Sequence, residues 1–185
     1  HASVPWALSA RIDTRYGEVR VGTGRQDQQD KRIVKIQGEA VPQNRLSEYL
    51  SCIWLTPQMD RLFLDPAATR RRFLDRLVMT FDPGHSGRVT RFENAMRQRS
   101  KLLQEGKNDP SWLEGLEVTM AESAVAIAAA RTDYVHKLQN AAKLTVKSDD
   151  LFPHAVFRLQ GTLENLLDRE SPALEVEDLY RHQLR

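Results

Sequence analysis

The feature that most constrains this chain is a change of apolar period at Thr56-Pro57. Upstream, apolar residues recur every second position: Trp6, Leu8, Ala10 and Ile12 alternate with more polar neighbours, Val19 and Val21 continue the pattern, and Ile33, Val34 and Ile36 follow after a polar loop from Arg25 to Lys31. A period of two is the signature of half-buried strands, and the Tyr16-Gly17 and Gln37-Gly38 breaks make them an antiparallel meander. Downstream, the spacing becomes three and four, which is helical. The chain is therefore expected to be α+β: an antiparallel-rich sheet portion over 1–60, a long antiparallel helical arm over 61–150, and a return strand with a C-terminal helical segment over 151–185.

The approach to the switch is read in detail. Asn44 is placed to cap a short helix carrying Leu46, Tyr49 and Leu50. Cys52-Ile53-Trp54-Leu55 is a compact apolar run, expected to be a strand buried on both faces and ended by Pro57. A thiol there is expected to be buried and inert. Gln58-Met59-Asp60 would then lie just past a strand's carboxyl end, where open α/β sheets tend to bind ligands.

Asp65-Pro66 predicts a helix start with Asp at the N-cap and Pro at the first position, followed by an apolar stripe of Phe73, Leu74, Leu77 and Val78. Arg70, Arg71, Arg72 and Arg76 crowd its first turns. Cations there oppose the helix macrodipole by about 0.3–1 kcal/mol each, so Asp65, Asp75 or an external anion is expected to compensate. Asp82-Pro83-Gly84 breaks the chain. A helix from about Arg88 to Gln104 follows and stops at Gly106. Asp109-Pro110 starts a longer helix with Leu113, Met120, Ile127, Tyr134 and Ala141 every seven residues, a heptad seam expected to fold back on its predecessor. Ser148-Asp149-Asp150 ends it. Ala155, Phe157 and Leu159 predict a strand, and leucines from Leu163 to Leu184 predict further amphipathic segments.

Several chemistries are excluded. Gly22-Thr23-Gly24 has no Gly-Lys-Ser/Thr ending and opens no helix, so it is not a phosphate loop. No HExxH, paired-cysteine metal site or nucleophile elbow occurs, and the five histidines show no ligand spacing. His85 and His182 are expected at the surface, and His136 beside the helical seam. The chain by itself is expected to catalyse nothing. A single cysteine suits a reducing compartment. With no signal-peptide pattern and no apolar run of about 18 residues, a cytoplasmic location away from membranes is expected. Residue 1 is His rather than Met, so a preceding segment is expected.

One set of motifs is specific. Trp54-Leu55-Thr56-Pro57, Asp60, Arg71-Arg72-Phe73-Leu74-Asp75, Gln98-Arg99 and Leu102-Leu103, with Val34-Lys35-Ile36-Gln37-Gly38 before them, resemble the RecF family of DNA repair proteins. The resemblance implies an internal piece of an ATPase of the structural-maintenance-of-chromosomes and ABC type, carrying part of the head sheet and the helical arm but neither the P-loop nor the signature and Walker B motifs. For the whole protein it implies ATP and Mg2+ as cofactors, ATP-dependent homodimerisation on gapped double-stranded DNA, and RecO and RecR as partners. It also implies a role for Gln58, which occupies the place of the glutamine that touches metal and water in ABC-type ATPases. A polar turn residue is the alternative reading.

Charge adds a candidate nucleic-acid surface. The net charge is only +2, yet residues 61–107 carry 11 basic against 5 acidic side chains, and residues 108–185 carry 8 against 13. A basic middle can mark a polyanion site. The candidate DNA-binding residues are Arg70, Arg71, Arg76, Arg88, Arg91, Arg97, Arg99 and Lys101. No interleaved aromatics stand ready to stack bases, which favours duplex backbone over single strands. The competing expectation is a structural helical hairpin for protein interaction, with these arginines paired internally to Asp109, Glu114, Glu117 and Glu122.

Overall fold

The computed structural model describes residues 4–14, 17–26, 31–106, 109–145, 155–169 and 171–184. Tyr16 and the Ser148-Asp149-Asp150 helix end lie outside the described residues. The chain divides into two compact units, His1–Leu55 and Thr56–Arg185.

The first unit is a four-stranded antiparallel meander in sequence order: β1 (Trp6–Thr14), β2 (Gly17–Arg25), β3 (Ile33–Ile36) and β4 (Glu39–Val41). The register aligns Ala10 with Val21 and Val21 with Ile36, and Val34 with Thr23 and Val41, so the alternating apolar residues share one face. Val21, Val34 and Ile36 are buried there, and a 3-10 helix, Gln43–Glu48, packs on β3. The β1 end of that face is open, with Trp6 and Leu8 exposed. The β3–β4 turn puts Gln37 and Gly38 both at positive φ, 52° and 89°, as a two-residue turn of matching twist requires. Left-handed backbone costs a non-glycine residue about 1–2 kcal/mol. Three hydrogen bonds to β2 hold Gln37 there: its N–H donates to the Arg20 carbonyl at 2.8 Å, its Nε2 donates to the Glu18 carbonyl at 3.3 Å, and its Oε1 accepts from the Arg20 N–H at 3.4 Å.

The approach to the switch departs from expectation. Asn44 lies inside the 3-10 helix, whose N-cap is Pro42, and caps nothing. Cys52-Ile53-Trp54-Leu55 is not a strand: residues 51–56 have no regular structure, and all four side chains are exposed. A strand buried on both faces needs ladder partners on both sides, and among the described residues the sheet ends at β4. Cys52 is consequently an exposed thiol, not a buried one.

The second unit is helical: a 3-10 helix Pro57–Leu64, then α1 (Ala67–Val78), α2 (His85–Gln104), α3 (Pro110–Thr145), α4 (Thr162–Asp168) and α5 (Ala173–Leu184). α1 starts one residue later than expected, with Pro66 at the N-cap and no side-chain cap. α2 begins at His85, because Gly84 already has helical backbone angles. Gly106 ends it at φ 66°, as expected of a C-terminal glycine. At α3 the Asp109 carboxylate accepts from the N–H groups of Ser111 and Trp112 at 3.0 and 3.2 Å, so the Asp-Pro start works as an N-cap.

α3 is not one side of a two-helix seam. Beyond its antiparallel contact with α2 it also packs on α1, α4 and α5, and Met120, Ala121, Ser123, Ala124, Val125, Ile127 and Ala128 are all buried. Ala141, at the end of the expected heptad, is exposed. Two apolar clusters result. Ala95, Leu102, Leu116 and Met120 join α2 to α3, with Leu184 of α5 against them. Val78, Tyr134 and Val135 join α1 to α3. The second cluster takes in Phe157 and Leu159, whose segment, 155–160, is not a strand. In place of a ladder, Gln139 on α3 accepts from the Phe157 N–H at 2.8 Å and donates to the Ala155 carbonyl at 3.3 Å.

Candidate nucleic-acid interface and a buried charge cluster

Arg70 and Arg71 lie exposed on the first turns of α1. No acidic residue sits in that turn, and Asp75 is engaged by His85 and Arg131. Arg70 instead donates to the Asp65 main-chain carbonyl at 2.5 Å, and Arg72 to the Ala68 carbonyl at 3.4 Å. Arg71 has no ion pair among the described residues. Arg76 is half-buried, its guanidinium 5.3 Å from the Phe73 ring centroid, a cation–π contact.

On α2 the set divides. Arg88 pairs with Asp82 across the helix start. Arg99 turns inward: its Nε donates to Glu117 Oε1 at 3.1 Å, its Nη2 donates to the Leu184 carbonyl, and Glu117 is buried. Arg97 and Lys101 point outward. Their side chains are 64% and 76% exposed, with long i,i+4 pairs to Glu93 at 4.0 Å and Glu105 at 3.8 Å. Pairs of that kind contribute little and leave the cations available. Arg91 is exposed and has no ion pair among the described residues. Of the four carboxylates expected to absorb the basic stretch, Glu117 pairs with Arg99. Glu114 takes Arg181 at 2.7 Å, Asp109 caps α3, and Glu122 is exposed. Gln58 is exposed on the 3-10 helix that follows Thr56, with no strand before it.

The sequence reading missed a buried charge cluster. His85 is fully buried at the start of α2, not at the surface. Its Nε2 lies 2.8 Å from Asp75 Oδ1 on α1. Arg131 on α3 grips both oxygens of Asp75, Nε to Oδ1 at 2.8 Å and Nη2 to Oδ2 at 2.9 Å, while its Nη1 reaches Glu164 Oε1 on α4 at 3.2 Å. One cluster thus ties four helices together. The legible signal was an aspartate on α1's apolar stripe, between Leu74 and Val78. His182, by contrast, is exposed as expected, and His136 is exposed on α3.

Burial alone would push the Asp75 carboxyl up. The hydrogen bonds from His85 and Arg131, backed by the Arg131 charge, outweigh it and hold the group below the usual carboxylate range. Burial pulls Arg131 down, and Asp75 and Glu164 more than reverse it. A folded pKa below the unfolded one means that ionised Asp75 contributes stability above the unfolded value, about 3.9. That contribution is lost as pH falls through the folded pKa. Urea midpoints followed downward from about pH 6 should therefore drop more steeply for the chain than for Asp75→Asn; parallel curves would contradict this origin of acid sensitivity.

No helix of the described residues is long and apolar enough to cross a membrane, and no group of three metal-ligating side chains occurs among them. No protein-family model matches the chain. Curated relatives do. The chain is 45% identical over 184 residues to the DNA replication and repair protein RecF of Mesorhizobium japonicum, 40% identical over 182 residues to that of Rhizobium etli and 39% identical over 183 residues to that of Agrobacterium fabrum. Each alignment covers 97% of this chain and 48% of the relative, so the chain spans about half the length of the curated relatives it matches. Among solved structures, the recombination mediator protein RecF of the RecFOR pathway, described as an ATP complex, superposes with a TM-score of 0.66 at 18% identity, over 95% of this chain and 52% of that one. A second RecF structure, with ATPrS, gives the same score at 17% identity over 75% of this chain and 39% of that one. With that identity along nearly all of its length and the same α+β fold, the chain belongs to the RecF family.

Proposed function

We propose that this chain is the part of a RecF-type replication and repair protein that engages the backbone of duplex DNA, with α1 and α2 as the contacting helices. The observation that carries the reading is the row of cations left available on those helices: Arg70, Arg71, Arg91, Arg97 and Lys101 are exposed, and none is held in a close ion pair. Arg88 and Arg99 are held internally and Arg76 rests on Phe73, so these three of the eight candidates contribute to folding before binding. In the whole protein the contact would serve ATP-dependent, homodimeric binding at DNA gaps with RecO and RecR as partners, in the cytoplasm. That part of the proposal rests on family membership and on the ATP complexes named among the solved neighbours.

Tight ATP binding by this chain alone is not expected. Gly22-Thr23-Gly24 lies within β2, no Gly-Lys-Ser/Thr sequence occurs, and Gln58 alone cannot cradle a triphosphate with its Mg2+.

The second reading, a protein-interaction hairpin, draws on the internal pairing of Arg88 and Arg99. Duplex binding at low and moderate salt separates the two. Phosphate contacts release counterions, so log affinity should fall with log salt at about 0.9 per phosphate neutralised. Arg91→Glu/Arg97→Glu is expected to weaken binding and flatten that slope without changing the urea midpoint. Unchanged affinity with lowered stability would favour the hairpin.

A further inference from the structure

Two glycines interrupt helices where nothing in the fold asks for them. Gly87 lies in the first turn of α2 and Gly115 in the second turn of α3. Glycine is unfavourable in a helix relative to alanine. Neither has positive φ, and a Cβ built on either would meet no atom within 4 Å. They are therefore not there to let helices of this chain approach one another.

Gly87 lines a groove between α2 and α3, and Gly115 lies one helical turn before Thr119 on the α3 side. Gly87, Thr90, Arg91, Asn94 and Gln98 line its α2 side, and Thr119 lines its α3 side with its hydroxyl turned back to the Gly115 carbonyl at 2.9 Å. Among the described residues Arg91 is the one charged residue in the lining, and no carboxylate lines the groove. Among the described residues Arg91 has no ion pair, and the Asn94 oxygen is taken by Arg97 at 2.5 Å, which leaves its amide N–H2 to donate. Arg91, Asn94 and Gln98 stand at i, i+3 and i+7 along one helix face, about 10 Å at 1.5 Å per residue. Projected on a duplex axis that is about three steps of 3.4 Å; along the strand, whose phosphates wind around the axis and lie further apart, it reaches from one phosphate to its near neighbour.

We propose that this α2–α3 groove seats one sugar-phosphate strand of the DNA, with Arg91 on a phosphate, Asn94 and Gln98 donating to its neighbours, and Gly87 leaving room for the backbone to lie close. Ala95 and Leu116, both buried, form only the floor of the groove, so its rim offers an open helical glycine, an unpaired cation and a row of neutral donors, which fits a close-lying polyanion. The proposal rests on the DNA reading above and deepens it by assigning the contact.

Salt titrations of a fluorescent duplex with the chain, Gly87→Leu, Arg91→Ala and, as a control outside both the groove and the proposed DNA contact, Lys137→Ala test it. Gly87→Leu fills the groove and adds a better helix former, so it should be at least as stable to urea and yet bind about tenfold more weakly. Arg91→Ala should lower the salt slope by about one. If the chain binds duplex but Gly87→Leu and Arg91→Ala bind as it does, the groove proposal is overturned, the DNA reading stands, and an acidic protein becomes the better occupant. If the chain shows no salt-dependent duplex binding at all, the DNA reading fails, and this proposal with it.

Discussion

Replacing Arg131 with alanine is expected to lower the unfolding free energy by about 3–5 kcal/mol, the range for breaking a buried ion pair by removing one partner. The size follows from what is left behind. Asp75 and Glu164 would both lose their guanidinium, and Asp75 would keep only the His85 contact inside the α1–α3 cluster. Arg131→Lys restores a charge but not the fork that holds both Asp75 oxygens, so it should recover only part of the loss. The double change Asp75→Leu/Arg131→Met supplies a sharper check. Well-packed apolar residues often match a buried pair, so the double variant should lie closer to the chain than either single variant, although His85 and Glu164 would still each lose a partner. A loss below about 1 kcal/mol for Arg131→Ala would place the pair among ordinary surface bridges and refute the description of the cluster.

Ala121→Leu should cost about 1–3 kcal/mol through overpacking. Ala121 is wholly inaccessible in the part of α3 that is buried most completely around its circumference, with Met120, Ala124, Val125 and Ala128 buried beside it. Extra methylenes there must move a helix or force a side chain off its rotamer. Glu122→Ala, one residue on and exposed, should stay within about 0.5 kcal/mol. Equal midpoints for Ala121→Leu and Glu122→Ala in urea would show that α3 has room on that side after all.

Local chemistry was legible in the sequence. The meander, the glycine stop at Gly106 and the aspartate cap at Asp109 depend on residues close in the chain, and each can be read from a short window. The failures share a cause of the opposite kind. Cys52 to Leu55 and residues 155–160 both have strand composition, but a strand also needs a partner at hydrogen-bonding distance, which no local pattern supplies. His85 was expected at the surface because no ligand spacing marks it, and Asp75, ten residues before it and held in turn by Arg131 on α3, is the partner that makes its burial tolerable. The α3 heptad was real as spacing but understated the burial, since the alanines between its positions face other helices. Arg88 and Arg99 were drawn to a ligand surface by charge counting, which cannot see Asp82 or Glu117 at close range. Charge counting located the basic stretch, and the structure separates its internally paired cations from the exposed ones.

The Gln139 amide has a consequence for phase. Residues 155–160 alternate in and out, but no neighbouring strand fixes which set goes in. A slip of one residue would send Val156 and Arg158 toward Val78 and Tyr134 and turn Phe157 and Leu159 out. Gln139 offers one acceptor and one donor, and they meet the N–H of Phe157 and the carbonyl of Ala155, flanking Val156. A single side chain on α3 thereby selects one of two phases for a six-residue segment, a task that elsewhere takes a whole adjacent strand.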